Sequence, residues 1–339
     1  MPHSPTSAGE PSDSEYEDLL GLWSDLESAL AVLLSRPLQV HDFPAKVRQC
    51  DRWLQDLVAH DIDAALYLMF QLASTSTVGY STSHALVCGT LCHILAHELQ
   101  LPSLERDSLV RAAITMNIGM TALQDELANQ RERPSPAQQE AIEAHPLRSM
   151  TLLEQLDVKD PLWLDVVGQH HAPLTETEPL AGMPAEERLN RILGTIDRYA
   201  AMISPRKSRA GRSATDSVRA IVGQDVDRRD EVTYALVRAV GLCPPGTFVR
   251  LDNGETALVL RRSEKVNSPL VASLLDRDGE HLAQPRLHQT ATGRPRIQSA
   301  LARPAVKVEI NHRTLVRLGH YAAQHSSGLM GLVNTPGRP

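Results

Sequence analysis

Imidazole and carboxylate groups stand at four separated places in the middle of this chain. They are His84, His145 within the segment EAIEAHP, the adjacent pair His170–His171, and Asp197. Each falls within or at the end of a different helical pattern. Side chains of these types, carried inward by several helices, can converge on a transition-metal ion inside a bundle. Taken singly, a histidine is more often a packed, hydrogen-bonded residue; the adjacent pair is less ordinary. Downstream, Arg206–Lys207–Ser208–Arg209 with Arg212 is the densest basic run. Planar guanidinium groups suit bidentate phosphate contacts. The competing reading is a solvated loop, since Gly211 and several serines accompany it.

Other chemistries find less support. His93 and His97 are four apart on one helix face, but there is no HExxH, so a protease reading fails. His84, Cys88 and Cys92 share one stripe, for which core packing is the better explanation. No phosphate-binding GxGxxG or P-loop pattern occurs, and no GxSxG elbow supports a hydrolase triad.

The elements that must position these groups are mostly helical. Residues 1–13 are rich in Pro, Ser and Gly and read as a disordered tail. In the N-terminal region, 14–75, Leu19, Leu20, Trp23, Leu26, Leu30 and Leu33 recur at helical spacing, and Pro37 and Pro44 interrupt the pattern. Two more helices are expected around Val47–Val58 and Ile62–Leu72. The stretch 76–240 predicts helices over Ser83–Leu99 (an amphipathic run), Leu104–Ile118, Pro136–Leu156, Pro161–His171 and Ala185–Met202. Ser135 is the expected N-cap of the helix that Pro136 opens. Over 241–290 the character changes to a small β-rich unit, in which Asn253–Gly254 between two apolar runs predicts a hairpin and Leu270–Leu275 a third strand. Residues 291–339 read as an irregular tail with a short helix near Arg313–Ala323. The fold class is therefore mainly α: a helical bundle, an N-terminal helical region and a small C-terminal β-rich appendage.

With 42% apolar and 22% charged residues, the 339-residue chain is neither collagen-like nor wholly disordered. A net charge of −7 argues against nucleic acid as a partner. Four cysteines without a CxxC make no disulfide framework, which favours reduced thiols in a cytoplasmic protein. The longest apolar clusters, such as Ala64–Phe70, fall well short of the roughly 20 residues of a membrane span, and the N-terminus has no secretory pattern.

The ordered series of segments resembles the HD-GYP family, a branch of the HD metal-dependent phosphohydrolases. Ser83–Val87 (SHALV) resembles its opening HS-x-x-V helix. Leu109–Met120 (LVRAAITMNIGM) resembles its L-x-x-A-A-L-L-H-D-I-G-K segment, and EAIEAHP its His-Pro turn. Gln169–His170–His171 is similar to its HHE segment, while Arg191–Ile192 and Asp197–Met202 (DRYAAM) are similar to its RI…D-x-Y-D-A-M helix. PPGTFVRLDNGETALVL, from Pro244 to Leu260, resembles the β extension that follows many such domains. The resemblance spans about 80–240 and implies an HD-type bundle holding two or three iron, manganese or similar ions. It further implies a dyad Asp that bridges ions, a bridging water that attacks a cyclic di-GMP phosphodiester, and phosphate contacts from Arg206 and Arg209.

Four departures fall on that implied site. The HD dyad reads Met116–Asn117, the following Lys is Met120, the Glu after the paired histidines is Ala172, and the GYP loop is replaced by HHAPLTETEPLAGMP. Asn117 offers a neutral amide oxygen where a carboxylate would bridge dications, and Met116 offers a soft thioether in place of imidazole. Losing a bridging charge costs on the order of several kcal/mol at low effective dielectric. The expectation is a degenerate HD-GYP-like signalling protein without phosphodiesterase activity that binds cyclic di-GMP or a protein partner. One transition-metal ion (iron, manganese or zinc) or none would sit at His145, His170 and His171, with Asp197 nearby and His84 as a remnant. The alternatives are an active metal-dependent cyclic di-GMP phosphodiesterase and a purely structural interaction module.

Overall fold

The computed structural model describes residues 13–75, 79–172, 179–204, 206–207, 212–224, 230–263, 265 and 268–330. The expected disordered tail, apart from Asp13, lies outside them. The fold is mainly α. Three N-terminal helices, α1 (Asp13–Ser35), α2 (Phe43–His60) and α3 (Ile62–Thr75), precede α4 (Tyr80–Glu98), α5 (Ser103–Thr115), α6 (Thr121–Asn129), α7 (Pro136–Gln155) and α8 (Pro161–Gln169). The bundle closes with α9 (Ala185–Ile203), α10 (Ala214–Gln224) and α11 (Glu231–Val240). Sequence punctuation sets several boundaries. Asp42 caps α2 ahead of Pro44, and Ser135 with Gln138 forms a capping box on α7 behind Pro136.

Helix α4 is the axis of the bundle. The amphipathic pattern expected over Ser83–Leu99 is not what the structure presents: every residue from Ser81 to Ala96 is buried. The reason is that α1, α2 and α3 cover the side that would otherwise meet water, while α5, α6, α9 and α11 cover the rest. Trp23, Leu26 and Leu30 of α1 and Val47 and Leu54 of α2 share one core with Leu86, Leu91 and Leu95 of α4. A buried ionic network ties the same elements. Asp51 of α2 accepts from His93 Nε2 of α4 (3.0 Å) and from Arg111 Nε of α5 (3.0 Å), and Arg111 also bonds Asp107.

The C-terminal unit is one antiparallel sheet of β1 (Phe248–Leu251), β2 (Thr256–Arg261), β3 (Leu270–Leu275), β4 (His281–Gln289) and β5 (Ile297–Leu301), ordered β4-β3-β2-β1-β5. The Asn253–Gly254 hairpin forms, with Val249 opposite Ala257. The chain beyond 291, expected as an irregular tail, instead supplies β5, which pairs along β1, and then α12 (His312–Met330), longer than the short helix expected. Neither β4 nor β5 carries a clean apolar alternation; β4 is mostly exposed and holds Pro285, which only an edge strand tolerates well. One sheet face, with Phe248, Leu258 and Leu270, joins the helical core, while Val249, Leu251, Ala257, Val259 and Val271 form a separate small core.

The junction between sheet and bundle is tight. Gly246 lies at φ +87°, and a β-carbon there would stand 2.7 Å from the Tyr67 carbonyl oxygen of α3. Its own carbonyl accepts from Gln71 Nε2 (2.6 Å). Gly246→Ala is expected to lose about 2–4 kcal/mol, since left-handed strain adds to a backbone clash. A shift in the urea midpoint of less than a third of that would show that the junction can give way. Among the described residues, no helix is long and apolar enough to cross a membrane.

Candidate metal centre

Two local accidents of sequence aim the first pair of imidazoles. Pro146 lies inside α7 and has no N–H, so the carbonyl of Ile142, four residues earlier, loses its helical donor. His145 Nδ1–H takes that carbonyl instead. At the end of α8, Val167 carries one of the orphan carbonyls of a helix C-terminus, and His170 Nδ1–H bonds it at 2.7 Å. A carbonyl can only accept, so both neutral rings carry their proton on Nδ1 and present a lone pair at Nε2. The two Nε2 atoms face each other at 3.0 Å. Two lone pairs at that distance repel unless a cation lies between or beside them.

His145 is 1% and His170 5% exposed. Burial pushes the His145 imidazole down to about 4, and a repelling His171 adds to this against the Ile142 bond. Burial likewise pushes His170 down to about 3, with His171 again contributing. Both rings are therefore neutral donors at pH 7. His171 is exposed, its ring centroid 5.1 Å from that of His145 and 4.4 Å from that of His170. One donor nitrogen from each of the three rings lies within 4.8 Å of the others. For metal–nitrogen bonds of about 2.1 Å, nitrogens on adjacent octahedral corners stand about 3.0 Å apart. The donor set fits one transition-metal ion.

A second group adjoins it. His84 of α4 lies with Nε2 2.8 Å from Asp197 Oδ1 of α9, and Cys88 Sγ is 3.6 Å from the same Nε2. Burial raises the Asp197 carboxyl, but the His84 hydrogen bond and charge, with His170 and His171, override it and hold the group well below the usual carboxylate range. Burial drives the Cys88 thiol well above its ordinary value, and Asp197 and Cys92 push it further up. Tyr80 stacks on His84, with centroids 5.7 Å apart and planes at 14°. Arg206 in turn lies over Tyr80, 4.7 Å from the ring centroid, and donates to its hydroxyl at 2.8 Å. Sequence reasoning singled out neither Tyr80 nor Cys88 as part of a site. The i, i+4 spacing of Tyr80, His84 and Cys88 was the signal available.

The remaining candidates divide. Met116 is buried in the hydrophobic core at the end of α5. Asn117 faces a narrow crevice with Ser81, Thr121 and Gln124. Met120 ends the 3-10 turn Ile118–Met120 that leads into α6. That turn presses on α7: Gly119 N donates to Ser149 Oγ at 3.0 Å, and a β-carbon on Gly119 would stand 2.8 Å from Ser149 N. Ala172 follows the histidine pair directly. Arg209 and positions 173–178 of the rebuilt loop lie outside the described residues.

A family model described as an HD domain matches residues 67–231. The chain is 28% identical over 189 residues to the cyclic di-GMP phosphodiesterase PA4108 of Pseudomonas aeruginosa, an alignment covering 54% of this chain and 45% of that relative's length. The solved structure of Bd1817, described as a HDG"Y"P protein from Bdellovibrio bacteriovorus, is similar with a TM-score of 0.49 and 14% identity, over 68% of this chain and 73% of that one. The HD-domain match spans every helix that contributes His84, His145, His170, His171 or Asp197, and over that stretch the chain is similar to HD-domain proteins.

Proposed function

We propose that this protein is a cytoplasmic HD-GYP-type receptor that binds cyclic di-GMP, or a closely related cyclic dinucleotide, beside a single-ion centre and relays its occupancy to a protein partner without hydrolysing the ligand. The observation that carries this is the pair of opposed Nε2 lone pairs of His145 and His170, 3.0 Å apart, combined with Met116 and Asn117 where the family's dyad would stand. An ion held by His145, His170 and His171 would supply a Lewis-acidic contact for a phosphate oxygen. The protein's own residues do the rest. Asp197 holds His84 in place, Tyr80 covers His84, and Tyr80 holds the Arg206 guanidinium, which would meet a phosphate. The neutral Asn117 amide leaves no carboxylate to bridge a second ion at the dyad, so the attacking water of the family's hydrolysis has no activating pair.

The test is calorimetric titration of cyclic di-GMP into protein loaded with manganese or iron, with chromatography of the nucleotide afterwards. Binding without turnover is expected, weakened at least tenfold by Arg206→Ala. Turnover that vanishes in His170→Ala would instead establish an active phosphodiesterase, the reading favoured by the relative's name. Neither binding nor turnover would leave a structural module. Met116→His with Asn117→Asp is expected to restore little hydrolysis, because the Lys position holds Met120 and the loop differs. A strong gain would show the dyad to be the only missing part.

A further inference from the structure

Arg212 belongs to the basic run after α9, and the site described above makes no use of it. Helix α9 itself carries Arg188, Arg191 and Arg198. The first two are spoken for: Arg188 pairs with Glu105 at 2.7 Å and Arg191 with Asp230 at 2.6 Å. Arg198, one position after Asp197, is exposed and pairs with no carboxylate among the described residues. Its Nη2 reaches only Thr195 Oγ1, on its own helix, at 3.3 Å. Arg212 is also exposed and likewise without a carboxylate among the described residues. Its backbone N–H donates to the Met202 carbonyl at 3.0 Å, and its Nη1 lies 3.9 Å from Met202 Sδ. Met202 stands one turn beyond Arg198 on the same helix face. The two guanidinium groups therefore follow one another along α9, separated by about 6 Å of helix rise.

This strip starts beside the three-histidine centre. A β-carbon on Gly194 would lie 3.5 Å from the His170 carbonyl oxygen and 3.9 Å from Arg198 Nη1, so His170 and the Arg198 guanidinium flank one bare patch of α9. His145 and His170 are buried, whereas His171 and Arg198 are exposed, and a ligand approaching from that side meets these two first. An arginine near a helix C-terminus can cap it. Among the described residues Arg198 bonds no carbonyl of α8, so capping does not account for it. The nearest acids are otherwise engaged: Asp197 faces His84, while Asp216 accepts from Ser213 and lies 3.8 Å from Arg219. Two guanidinium groups without counter-charges, each presenting parallel N–H donors, suit the oxygens of a ligand that carries two phosphate groups.

We propose that Arg198 and Arg212 form a phosphate-binding strip along α9, which holds one phosphate of a cyclic dinucleotide while the other lies at the metal centre. The choice of a cyclic dinucleotide rests on the function proposed above; the phosphate chemistry of the strip does not. Arg206 sits apart from it, stacked on Tyr80.

Two titrations of the full chain test this separately. In the first, inorganic pyrophosphate is titrated calorimetrically into chelator-stripped protein, where no ion contributes. Arg198→Ala and Arg212→Ala are each expected to weaken binding about tenfold, the worth of one charge-assisted hydrogen-bonded pair. Arg198→Lys, which keeps the charge and loses the fork, should fall between. Arg48→Ala, an exposed arginine on α2, should change nothing. Because both strip residues are exposed, melting temperatures should stay at the wild-type value, which separates lost contacts from lost structure. Wild type that binds no pyrophosphate, or binding unchanged by the double substitution of Arg198 and Arg212, would overturn the strip. In the second, cyclic di-GMP is titrated into manganese-loaded protein, and the same two substitutions should again weaken binding. Cyclic di-GMP binding that ignores both would also overturn the strip while leaving the receptor reading in place. Pyrophosphate binding that depends on both arginines, with no cyclic di-GMP binding by wild type, would support the strip and remove the receptor reading.

Discussion

Asp51→Ala is expected to lower the unfolding free energy by about 3–5 kcal/mol, the usual consequence of stranding a buried partner. The carboxylate is 2% exposed and both oxygens are engaged, one by His93 and one by Arg111. Removing it leaves the Arg111 guanidinium facing its hole, with Asp107 as its remaining counter-charge. The whole network is a different matter: replacing Asp51, His93 and Arg111 together with apolar residues of similar volume should cost far less than the single change. Urea unfolding with a double-mutant cycle over Asp51 and Arg111 separates the two. A single-mutant loss below 1 kcal/mol would mean that water enters and solvates the guanidinium. Since the network joins α2 to α4 and α5, the N-terminal helices and the HD body should unfold in one transition.

The second large effect is acid sensitivity of the metal-free protein. His145 and His170 have folded-state values of about 4 and 3 against 6.5 when unfolded. Between those values the unfolded chain binds protons that the folded chain refuses, so stability rises with pH across this window and is flat above it. As pH falls from about 6.5 toward 4, the stripped protein should lose on the order of several kcal/mol. A zinc, manganese or iron ion on the Nε2 atoms should protect the fold and raise its melting temperature at pH 6, while His145→Phe should flatten the slope. A metal-free melting temperature that does not change from pH 7 to pH 5 would contradict the burial of two neutral, opposed imidazoles.

Much of the bundle was legible from periodicity, since α1 to α3, α5 and α7 to α9 each place apolar residues at helical spacing with Pro or a cap at an end. Asn253–Gly254 likewise announced its hairpin, because few residue pairs accept the backbone that a two-residue reversal requires. β4 and β5 were not legible. Their stability comes from partners distant in sequence, such as β1 for β5, and an edge strand needs no apolar alternation. The full burial of α4 was equally hidden, because it depends on which other helices cover each side.

For the site, the residue types and their order along the chain already marked His84, His145, His170, His171 and Asp197, and the Met116–Asn117 substitution is visible in one dimension. What the residues face is not. The opposed lone pairs of His145 and His170 arise because Pro146 frees one carbonyl and a helix end frees another, and because α7 and α8 then pack side by side. The approach of Cys88 to Asp197 needs α4 against α9, more than a hundred positions apart. Composition and spacing specify which atoms are present and which backbone bonds are missing; distance between donors comes from packing, a property of the whole core that no local segment carries.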